Sequence, residues 1–530
     1  MERMDVLVIG AGFSGLRALH SLREAGFAVK VIDAADDIGG VWHTNRYPGA
    51  RCDVESYDYS YMFSSALEQE WRWSERYATQ PEILRYIHHV AERFDLRRDI
   101  ILDTCVTSAQ FDDALGRWMV TTERGEVYDA QYLVLAVGQL STTKRPCIPG
   151  IACFEGRVIH SAEWPRDEVD FEGKSVGIIG TGSSGVQMTP VIAQKARRLT
   201  VFQRTANFSI PAANAPVSEE EDRKVKANYA ARRRQALDSP SGLGFVPNGT
   251  SVLDAAPDER TEVLEAAWNR LGFGFALAYK DILLNQASND IVADFIRAKI
   301  AAQVDDPATC ALLTPTCFPF GTKRPSVDSG YWATFNRDNV ELVDIRSAPI
   351  TKVSAQGVHT SNAVYPLDIL IFATGFDAFT GSLLRIEFSA RGSTLKDKWA
   401  AGPVTYLGLG TEGFPNMFVL VGPGSPSLLS NVLLSAEQQV DWLRDLLVHA
   451  RAAGVATIEP TAKAEREWVI HVNERSRETL YPKAASYYVG AEVEGKPRVF
   501  MPYSGGVRAY RRILEDVARR GYEGFHLRTA

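Results

Sequence analysis

The sequence predicts an α/β fold in which two β-α-β units, each with a glycine-rich turn, belong to separate domains and a helical insertion interrupts the second domain. Three observations lead to this prediction. The stretch "DVLVIGAGFSGLRALHSLREAG" changes from an apolar run to glycines and then to helical spacing. The same order returns in "KSVGIIGTGSSGVQMTPVIAQKA". The chain of 530 residues is also too long for one hydrophobic core and fits two or three domains.

The first glycine-rich turn has the spacing that binds a dinucleotide. Gly10 allows a tight turn, Gly12 lets the backbone approach a pyrophosphate, and Gly15 lets the helix pack closely on the strand. The N-terminus of the helix supplies N–H donors to the phosphate. Asp33 ends the second strand, "AVKVIDA", where a carboxylate accepts a hydrogen bond from a ribose hydroxyl. This acid-ended unit is typical of an FAD site.

The second turn repeats the spacing with Gly180, Gly182 and Gly185, but its second strand ends differently. The strand "RLTVFQRT" ends in Arg204 and Thr205 without an acid. A cation at this place suits a ribose 2′-phosphate, which predicts NADPH; the alternative is that Arg204 is simply exposed. Two nucleotide sites of different ribose chemistry indicate an enzyme that moves electrons between two cofactors.

Strand signals stop between residues 211 and 320, where charged, helix-prone segments follow "IPAANAPV". They resume in "VELVDI", "LDILIFATGFD" and "NMFVLVGPGSPS", and "AEQQVDWLRDLLVHARAAG" is typical of an amphipathic helix. We therefore predict two Rossmann-like dinucleotide-binding domains with a helical insertion in the NADP-binding domain. The predicted boundaries are 1–140 and 381–530 for the FAD-binding domain, 141–210 and 321–380 for the NADP-binding domain, and 211–320 for the insertion.

Composition argues against several other classes of protein. A formal charge of −7 does not suit a nucleic-acid surface, and the basic run at 231–235 is interpreted as a solvated helix face. The six cysteines form no C-x-x-C pair, so we expect reduced thiols and neither a disulfide framework nor a metal site. A strand is predicted to begin by Asp5, so we expect no signal peptide, and no apolar run is long enough to predict a membrane span. The sequence therefore predicts a cytoplasmic protein that needs no nucleic acid, membrane or obligate protein partner.

A stretch between the two turns carries a resemblance to a known family. "FEGRVIHSAEWP" resembles the fingerprint of the flavin-dependent Baeyer–Villiger monooxygenases of type I. Further stretches are similar to the same family, over about residues 5 to 525: "GGVWHTNRYPGARCDVESYDYSY", "FPFGTKR", "FNRDNVELVD", "GFPNMFVLVGPGSPS" and "GKPRVFMPYSGG". The resemblance is closest to the short type that acts on small cyclic or aryl ketones.

The resemblance implies that NADPH reduces FAD, that a C4a-peroxyflavin forms with O2, and that oxygen is inserted beside a ketone carbonyl to give an ester or lactone. The catalytic arginine of the family falls in the Gly-Thr-Lys-Arg motif and corresponds to Arg324. Asp53 in "ARCDVES" corresponds to the acid that orients it. Arginine stays charged at any working pH and offers a fork of donors. Lys323 adds a second cation and is expected near the 2′-phosphate with Arg204 and Thr205.

The resemblance also implies two sets of cofactor contacts. For FAD, the expected contacts are Gly10, Gly12, Ser14, Gly15, Asp33, Gly40, Val41, Trp42, Asp53, Tyr59, Val106 and Val432. For NADP, they are Arg51, Cys52, Gly180, Thr181, Gly182, Ser183, Ser184, Gly185, Gln187, Arg204, Thr205, Lys323, Arg324 and Tyr487. Two positions depart from the family. Asp33 stands where glutamate is commoner, and Tyr487 stands where many relatives carry a tryptophan in a mobile loop over the substrate.

The fingerprint itself is expected to be a connector between the two nucleotide-binding domains. Gly156 is expected to permit an unusual backbone angle, and the bulky Phe154, Trp164 and Pro165 to anchor the connector. His160 is interpreted as a packing and hydrogen-bonding residue rather than a catalytic one.

Three other classes remain as alternatives. An N- or S-oxygenating flavin monooxygenase shares both turns, but the Trp-Pro ending and Arg324 argue against it. A disulfide reductase lacks support because no C-x-x-C follows the first unit. A non-catalytic NADPH-sensing protein is disfavoured by the intact glycines together with Asp53 and Arg324. Sulfoxidation is a further activity that the same chemistry allows.

Overall fold

The computed structural model describes residues 2–245, 248–270 and 272–529. Its strands, in chain order, are β1 (Glu2–Ile9), β2 (Val29–Ile32), β3 (Ile100–Ile101), β4 (Val106–Asp112), β5 (Arg117–Thr122), β6 (Val127–Leu135), β7 (Arg157–His160), β8 (Ser175–Ile179), β9 (Arg198–Gln203), β10 (Ser209–Pro211), β11 (Ser326–Asp328), β12 (Val340–Asp344), β13 (Ile350–Ser354), β14 (Gly357–Thr360), β15 (Val364–Pro366), β16 (Ile369–Phe372), β17 (Glu387–Ala390), β18 (Ser393–Thr394), β19 (Met417–Val419), β20 (Val455–Pro460) and β21 (Phe525–Thr529).

The helices complete the described elements. They are α1 (Phe13–Glu24), α2 (Val41–Thr44), α3 (Ser65–Glu70), α4 (Gln80–Arg93), α5 (Ser183–Ala193), α6 (Glu219–Ala227), α7 (Tyr229–Asp238), α8 (Pro257–Trp268), α9 (Gln286–Ala301), α10 (Pro307–Leu313), α11 (Tyr331–Thr334), α12 (Leu395–Lys398), α13 (Val432–Ala452), α14 (Ala462–Arg477) and α15 (Val507–Arg519).

The first β-α-β unit lies at the centre of a mixed sheet. Strand β1 pairs in parallel with β2 on one side and β6 on the other, and β3 and β19 extend this parallel part. Strands β4 and β5 join β6 in an antiparallel arrangement; β17 then pairs in parallel with β4, and β18 pairs antiparallel with β17. Strand β17 follows β16 of the second sheet in the chain, so the chain returns to the first sheet as the Ala-Thr-Gly strand predicts.

Alternation of apolar side chains along β1 explains why this sheet has two different faces. Val6 and Val8 are buried in the same cluster as the apolar residues of α1, α4, α13 and α15. Leu7 and Ile9 are buried in a different cluster, with residues of the antiparallel strands β4 and β5. Successive side chains of a strand point to opposite faces, so a run that is apolar at every position is buried on both.

The second β-α-β unit forms a five-stranded parallel sheet in the order β12-β9-β8-β16-β7. Val176 and Ile178 of β8 pack into a cluster with residues of α5 and α9. Ile179 packs with residues of the antiparallel strands β13 to β15 on the other face. The two nucleotide-binding units therefore repeat one plan: helices on one face of a parallel sheet and an antiparallel layer on the other. The predicted fold class is confirmed.

The described part of 212–320 contains five helices, α6 to α10, as the sequence predicts for an insertion. Helices α8, α9 and α10 share a core with the second sheet, where the rings of Trp268 and Trp332 stack with centroids 6.0 Å apart, whereas Val225 of α6 and Tyr229 of α7 pack with residues of the first nucleotide-binding unit. The expectation of a solvated basic face at 231–235 is wrong for two arginines. Arg233 is 7% exposed and bonds Glu68 at 2.7 Å, and Arg232 bonds Asp58 at 2.7 Å. The domain boundaries stay a prediction.

Candidate active site

In the turn between β1 and α1, backbone atoms leave no room for a side chain at two of the three glycines, but they do leave room at the third. Gly10 has a φ of 108°, and a Cβ there would lie 2.4 Å from the carbonyl oxygen of Ala136. A Cβ on Gly15 would lie 1.8 Å from the carbonyl oxygen of Gly10. On Gly12 it would approach no described atom more closely than the Cα of Gly40, at 3.5 Å. Packing within the protein thus explains Gly10 and Gly15, whereas the space beside Gly12 accommodates a ligand.

Asp33, the first residue after β2, faces this turn. Its Oδ2 accepts a hydrogen bond from the Ala11 N–H at 2.5 Å, and its Oδ1 accepts one from Ala35 at 2.8 Å. Burial raises the pKa of Asp33 above its ordinary value, and these two N–H groups act in the opposite direction. The carboxylate keeps lone pairs for a further donor, which agrees with the predicted ribose contact.

A second segment packs against the first turn at the start of α2. Gly40 has a φ of 54° and lies beside Gly12, and Val41 and Trp42 follow it into α2. The Trp42 indole N–H donates to the Tyr59 hydroxyl at 3.0 Å, and the two rings meet edge to face. These residues, predicted from the resemblance as FAD contacts, therefore lie together.

The remaining predicted FAD contacts lie at the starts of other elements. Ser14 is in the first turn of α1, Val106 begins β4 and Val432 begins α13. Val106 is buried and Val432 is half-buried. Their contacts with FAD stay predictions.

The second turn repeats the geometry of the first. Gly180 has a φ of 115°, and a Cβ there would lie 2.4 Å from the carbonyl oxygen of Ala373. A Cβ on Gly185 would lie 2.3 Å from the carbonyl oxygen of Gly180. On Gly182 it would meet no described atom within 4 Å. The middle glycine again faces space that the described residues do not fill.

Side chains of the second turn join it to neighbouring segments. The Thr181 hydroxyl donates to the carbonyl oxygen of Thr205 at 3.0 Å. The hydroxyls of Ser183 and Ser326 lie 3.3 Å apart, and Ser184 follows in the first turn of α5. Ser326 is two residues beyond Arg324, so the predicted catalytic arginine is anchored close to this turn.

The segment that carries Asp53 also contacts the second unit. The side-chain amide of Gln187, on α5, donates to the carbonyl oxygen of Arg51 at 3.1 Å. The Arg51 guanidinium bonds Glu75 at 3.0 Å. Cys52 is buried, and burial raises the pKa of its thiol above the ordinary value. Cys52 therefore remains a neutral thiol, and Arg51 and Cys52 lie at the interface between the two nucleotide-binding units.

Arg324 and Asp53 meet as a bidentate ion pair. The Arg324 Nε lies 2.5 Å from Oδ2 of Asp53, and its Nη2 lies 3.0 Å from Oδ1. The third nitrogen, Nη1, donates to the carbonyl oxygen of Leu428 at 2.8 Å, and the guanidinium lies 4.1 Å from the centre of the Phe273 ring. Burial alone would lower the pKa of Arg324, but the Asp53 carboxylate outweighs burial and raises it above the ordinary value. The result is a permanent, oriented cation.

Two neighbouring tyrosines of one loop interact electrostatically with this cation. Tyr487 and Tyr488, in the short 3-10 segment Tyr487–Val489, have ring centroids 4.4 Å apart. Burial raises the pKa of both hydroxyls, and the charge of Arg324 partly offsets the shift. Both residues therefore stay protonated donors at neutral pH. The sequence drew attention to Tyr487 only; Tyr488 and Phe273 carry no motif that marks them.

Four charged groups gather beyond the second turn. Arg204 follows β9, with 69% of its side chain exposed, and Lys323 precedes Arg324. Both face Glu492, at 3.5 Å and 4.0 Å respectively. Lys144 also faces Glu492, at 3.8 Å, and burial lowers the pKa of Lys144 and of Lys323. The sequence predicted two of these cations. Lys144 and Glu492 lie in separate loops that only the fold brings together.

The fingerprint forms part of the second sheet rather than a plain connector. Four of its residues form β7, which pairs in parallel with β16. Gly156 does not adopt the expected unusual angle, since its φ lies outside the left-handed region; a Cβ there would lie 2.4 Å from the carbonyl oxygen of Asp368. Close packing, not backbone freedom, is the reason for this glycine. Phe154 packs on the apolar layer beneath the sheet.

His160 ends β7 and bonds two neighbouring segments. Its Nδ1 accepts from the Ala162 N–H at 3.2 Å, and its Nε2 lies 3.3 Å from the Lys144 carbonyl oxygen. Burial lowers the pKa of His160, so the ring is neutral, and its Nε2–H donates a hydrogen bond to the Lys144 carbonyl oxygen. Trp164 is buried, with Pro165 next to it. This geometry agrees with a packing and hydrogen-bonding role for His160.

The six cysteines are unpaired; Cys147, Cys153 and Cys317 are exposed. Among residues 2–245, 248–270 and 272–529, no helix is long and apolar enough to cross a membrane.

Two dinucleotide-type turns that converge on one oriented cation define the class of two-nucleotide flavin monooxygenases. A family model described as flavin-binding monooxygenase-like matches residues 3–213. A "Baeyer-Villiger monooxygenase" of Pseudooceanicola batsensis is 42% identical over 524 residues, which are 98% of this chain and 95% of the relative. Since the identity extends over nearly the whole of both chains, the similarity covers both nucleotide-binding units and the insertion.

Solved structures agree over the full length. A structure described as oxidized steroid monooxygenase bound to NADP is 51% identical, with a TM-score of 0.96 and complete coverage of both chains. The closed crystal structure of cyclohexanone monooxygenase is 42% identical, with a TM-score of 0.98 and complete coverage. The chain belongs to the Baeyer–Villiger monooxygenase family.

Proposed function

We propose that this chain catalyses the NADPH- and O2-dependent oxidation of a ketone to an ester or lactone, with FAD at the first turn and NADPH at the second. Membership of the Baeyer–Villiger family supports the reaction class. The single observation that carries the proposal in the structure is the bidentate pair of Arg324 and Asp53. Arg324 lies two residues before Ser326, whose hydroxyl contacts Ser183 of the second turn. Asp53 lies two residues after Arg51, whose carbonyl oxygen accepts a hydrogen bond from α5.

The residues of the first turn fit FAD. A side chain at Gly12 would clash with no described atom, so the space beside this glycine is free for a ligand. The N-terminal N–H groups of α1 follow directly in the chain. Asp33 offers a carboxylate to a ribose hydroxyl. Trp42 and Tyr59 supply an aromatic pair next to this turn. A flat dinucleotide with a pyrophosphate suits this combination of an open glycine, an acid and aromatic rings.

The residues of the second turn fit NADPH. Gly182 is open in the same way as Gly12. Arg204, Lys323 and Lys144 form a group of cations at the end of β9, where a 2′-phosphate would be recognised. The charge of this group supports NADPH over NADH.

Reduced FAD supplies the electrons that activate O2, and the chain controls the charges around the reaction. Arg324 provides a fixed positive charge for the negative charge that develops on the ketone oxygen when it is attacked. A unit charge at about 4 Å is stabilised by about 4 kcal/mol at an effective dielectric near 20. Asp53 orients the guanidinium through two hydrogen bonds, and the Leu428 carbonyl oxygen fixes its third nitrogen. These contacts set the direction of the donors before substrate arrives.

The proposed substrates are a ketone and O2. The protein is proposed to act in the cytoplasm without a nucleic-acid or protein partner. The named relatives act on a steroid and on cyclohexanone according to their descriptions, which supports ring ketones as the class to test first.

Turnover with product analysis tests the proposal. The FAD-loaded protein is incubated with NADPH, O2 and a panel of cyclic, aryl, linear and steroid ketones, and the products are identified by mass. We expect a product heavier than the ketone by one oxygen atom and fragmented as an ester or lactone, with NADPH consumed in equal amount. A thioether and a tertiary amine are included as alternative substrates. Oxygenation of these two without any ester from the ketones would favour an N- or S-oxygenating enzyme instead.

A further inference from the structure

Three cationic side chains face the carboxylate of Glu492. Its carboxylate lies 3.5 Å from Arg204, 3.8 Å from Lys144 and 4.0 Å from Lys323. Its side chain is 24% exposed, so water screens these attractions only in part. The backbone carbonyl oxygen of Glu492 also accepts a hydrogen bond from Lys144. One carboxylate is thus shared among three cations that come from three different segments.

The charge of Glu492 alone does not balance the three cations that lie close to one another. Like charges placed close together repel one another, so the fold needs an anion to hold them. A single carboxylate leaves the group with a net positive charge. A phosphate group carries more negative charge and more acceptor oxygens than a carboxylate, and it suits the fork of Arg204. Because the carboxylate and a phosphate accept from the same N–H groups, they cannot both take the full set of bonds.

We propose that Glu492 is a specificity-determining residue whose carboxylate competes with the 2′-phosphate of the nicotinamide nucleotide for Lys144, Arg204 and Lys323. This inference rests on the proposed binding of NADPH at the second turn. Its consequence is a lower affinity for 2′-phosphorylated nucleotides than the cation group would otherwise give, with no effect on nucleotides that lack the phosphate.

The loop around Glu492 lies between two glycines in the left-handed region and ends at an anchored lysine. Gly490 and Gly495 flank it with φ values of 68° and 75°. Lys496, just beyond, bonds Asp377 at 2.5 Å and holds that end of the loop. Tyr487 and Tyr488, which interact electrostatically with Arg324, precede this segment in the same loop.

Calorimetric titration of the full-length, FAD-loaded protein tests the inference without turnover. The probes are 2′,5′-ADP, which carries the 2′-phosphate, and 5′-AMP, which lacks it. The variants are Glu492→Gln, Glu492→Ala and the control Glu494→Gln, which makes the same change of net charge at an exposed position of the same loop. Arg204→Ala reports whether the 2′-phosphate is recognised at this place.

We expect both Glu492 variants to bind 2′,5′-ADP about five- to twentyfold more tightly than the parent, with the affinity for 5′-AMP unchanged. Glu494→Gln should match the parent for both probes. Equal gains for the two probes, or an equal gain in Glu494→Gln, would overturn the competition and indicate a general charge effect. A parent that prefers 2′,5′-ADP, with no gain in either Glu492 variant, would overturn the role of Glu492 alone. A parent without that preference, unaffected by Arg204→Ala, would overturn the 2′-phosphate site itself.

Discussion

Arg324 and Asp53 are 271 positions apart in the chain, yet two nitrogens of the guanidinium bond two oxygens of the carboxylate, at 2.5 Å and 3.0 Å. The side chains are only 13% and 26% exposed, so water weakens their attraction little. An ion pair of this kind has a defined orientation as well as a charge, because both forks are planar. Asp53 thereby fixes the direction of the Arg324 guanidinium, whose positive charge serves an anionic step.

Arg324→Ala should separate the two halves of the reaction. Flavin reduction by NADPH should survive, since hydride transfer depends mainly on the placement of the nicotinamide. Ester formation should fall by roughly a hundred- to a thousandfold, which corresponds to about 3–4 kcal/mol of lost charge stabilisation. The variant should consume NADPH and release hydrogen peroxide. Anaerobic stopped-flow reduction and aerobic product analysis measure the two halves separately.

Three further variants make this result specific. Asp53→Ala should lower ester formation in the same direction but less steeply, since Asp53 acts through Arg324. Arg324→Lys should recover part of the activity, because it restores charge without the fork of donors. Arg337→Ala, at an exposed arginine, should behave as the parent. A normal ester yield from Arg324→Ala would end the catalytic assignment.

The glycines of the second turn should divide into two kinds. Gly182→Ala adds a methyl group where no described atom lies within 4 Å, so folding and FAD content should be unchanged. NADP+ binding should weaken by about tenfold or more, because the methyl group occupies the space of the pyrophosphate. Gly185→Ala would place its Cβ 2.3 Å from the Gly180 carbonyl oxygen and should lower the melting temperature. Melting curves and NADP+ titration of the FAD-loaded variants measure both effects. Unchanged NADP+ affinity in Gly182→Ala would place the pyrophosphate elsewhere.

The fold was predictable where its signals are local. Each nucleotide-binding unit consists of an apolar strand, three glycines and a helix within one short stretch, so the spacing alone determines the element order. The antiparallel layers were not predicted, because strands such as β4 mix exposed and buried residues and carry no comparable motif. The prediction that residues 231–235 form a solvated basic face was wrong for a different reason. Arg232 finds Asp58 more than a hundred positions away, and only the fold reveals that partner.

In the candidate site too, residues on motifs were predicted, whereas residues that only the fold brings together were not. The resemblance placed Arg324 and Asp53 on motifs, and the structure brings the two together. Lys144 and Glu492 lie in no motif that identifies a charge partner, since their contact depends on two loops that are distant in the sequence. Gly156 was recognised as special, but for the wrong reason: the neighbouring Asp368 carbonyl oxygen excludes a side chain, and no sequence pattern reveals which atom lies nearby.

Arg204→Ala should change the choice between the two nicotinamide nucleotides. The Arg204 guanidinium is largely exposed and faces the Glu492 carboxylate at 3.5 Å, in the position expected for a 2′-phosphate partner. Its loss should raise the apparent KM for NADPH by about tenfold and leave the KM for NADH nearly constant. Steady-state kinetics with both nucleotides at constant ionic strength measure the change. An equal rise for both would place Arg204 away from the 2′-phosphate.

Glu437 introduces a pH dependence of stability that is separate from catalysis. It lies on α13, where its carboxylate accepts from the Met62 N–H at 3.1 Å and approaches the Arg17 Nε at 3.5 Å. Burial raises the pKa of Glu437 from 4.5 to about 7, although Arg17 acts in the opposite direction. Arg17 has a second carboxylate partner, Asp441, at 2.6 Å.

A raised carboxyl pKa means that the folded protein binds a proton more tightly than the unfolded chain does. The stability that this proton contributes is complete below about pH 4.5 and is lost as the pH rises through 7. The loss is on the order of 3 kcal/mol. Glu437→Gln stays neutral and leaves Arg17 paired with Asp441, so its melting temperature should fall less than that of the parent between pH 5.5 and pH 8 (roughly 2 °C or more of difference). Parallel melting temperatures of parent and variant across this interval would show that Glu437 does not titrate there.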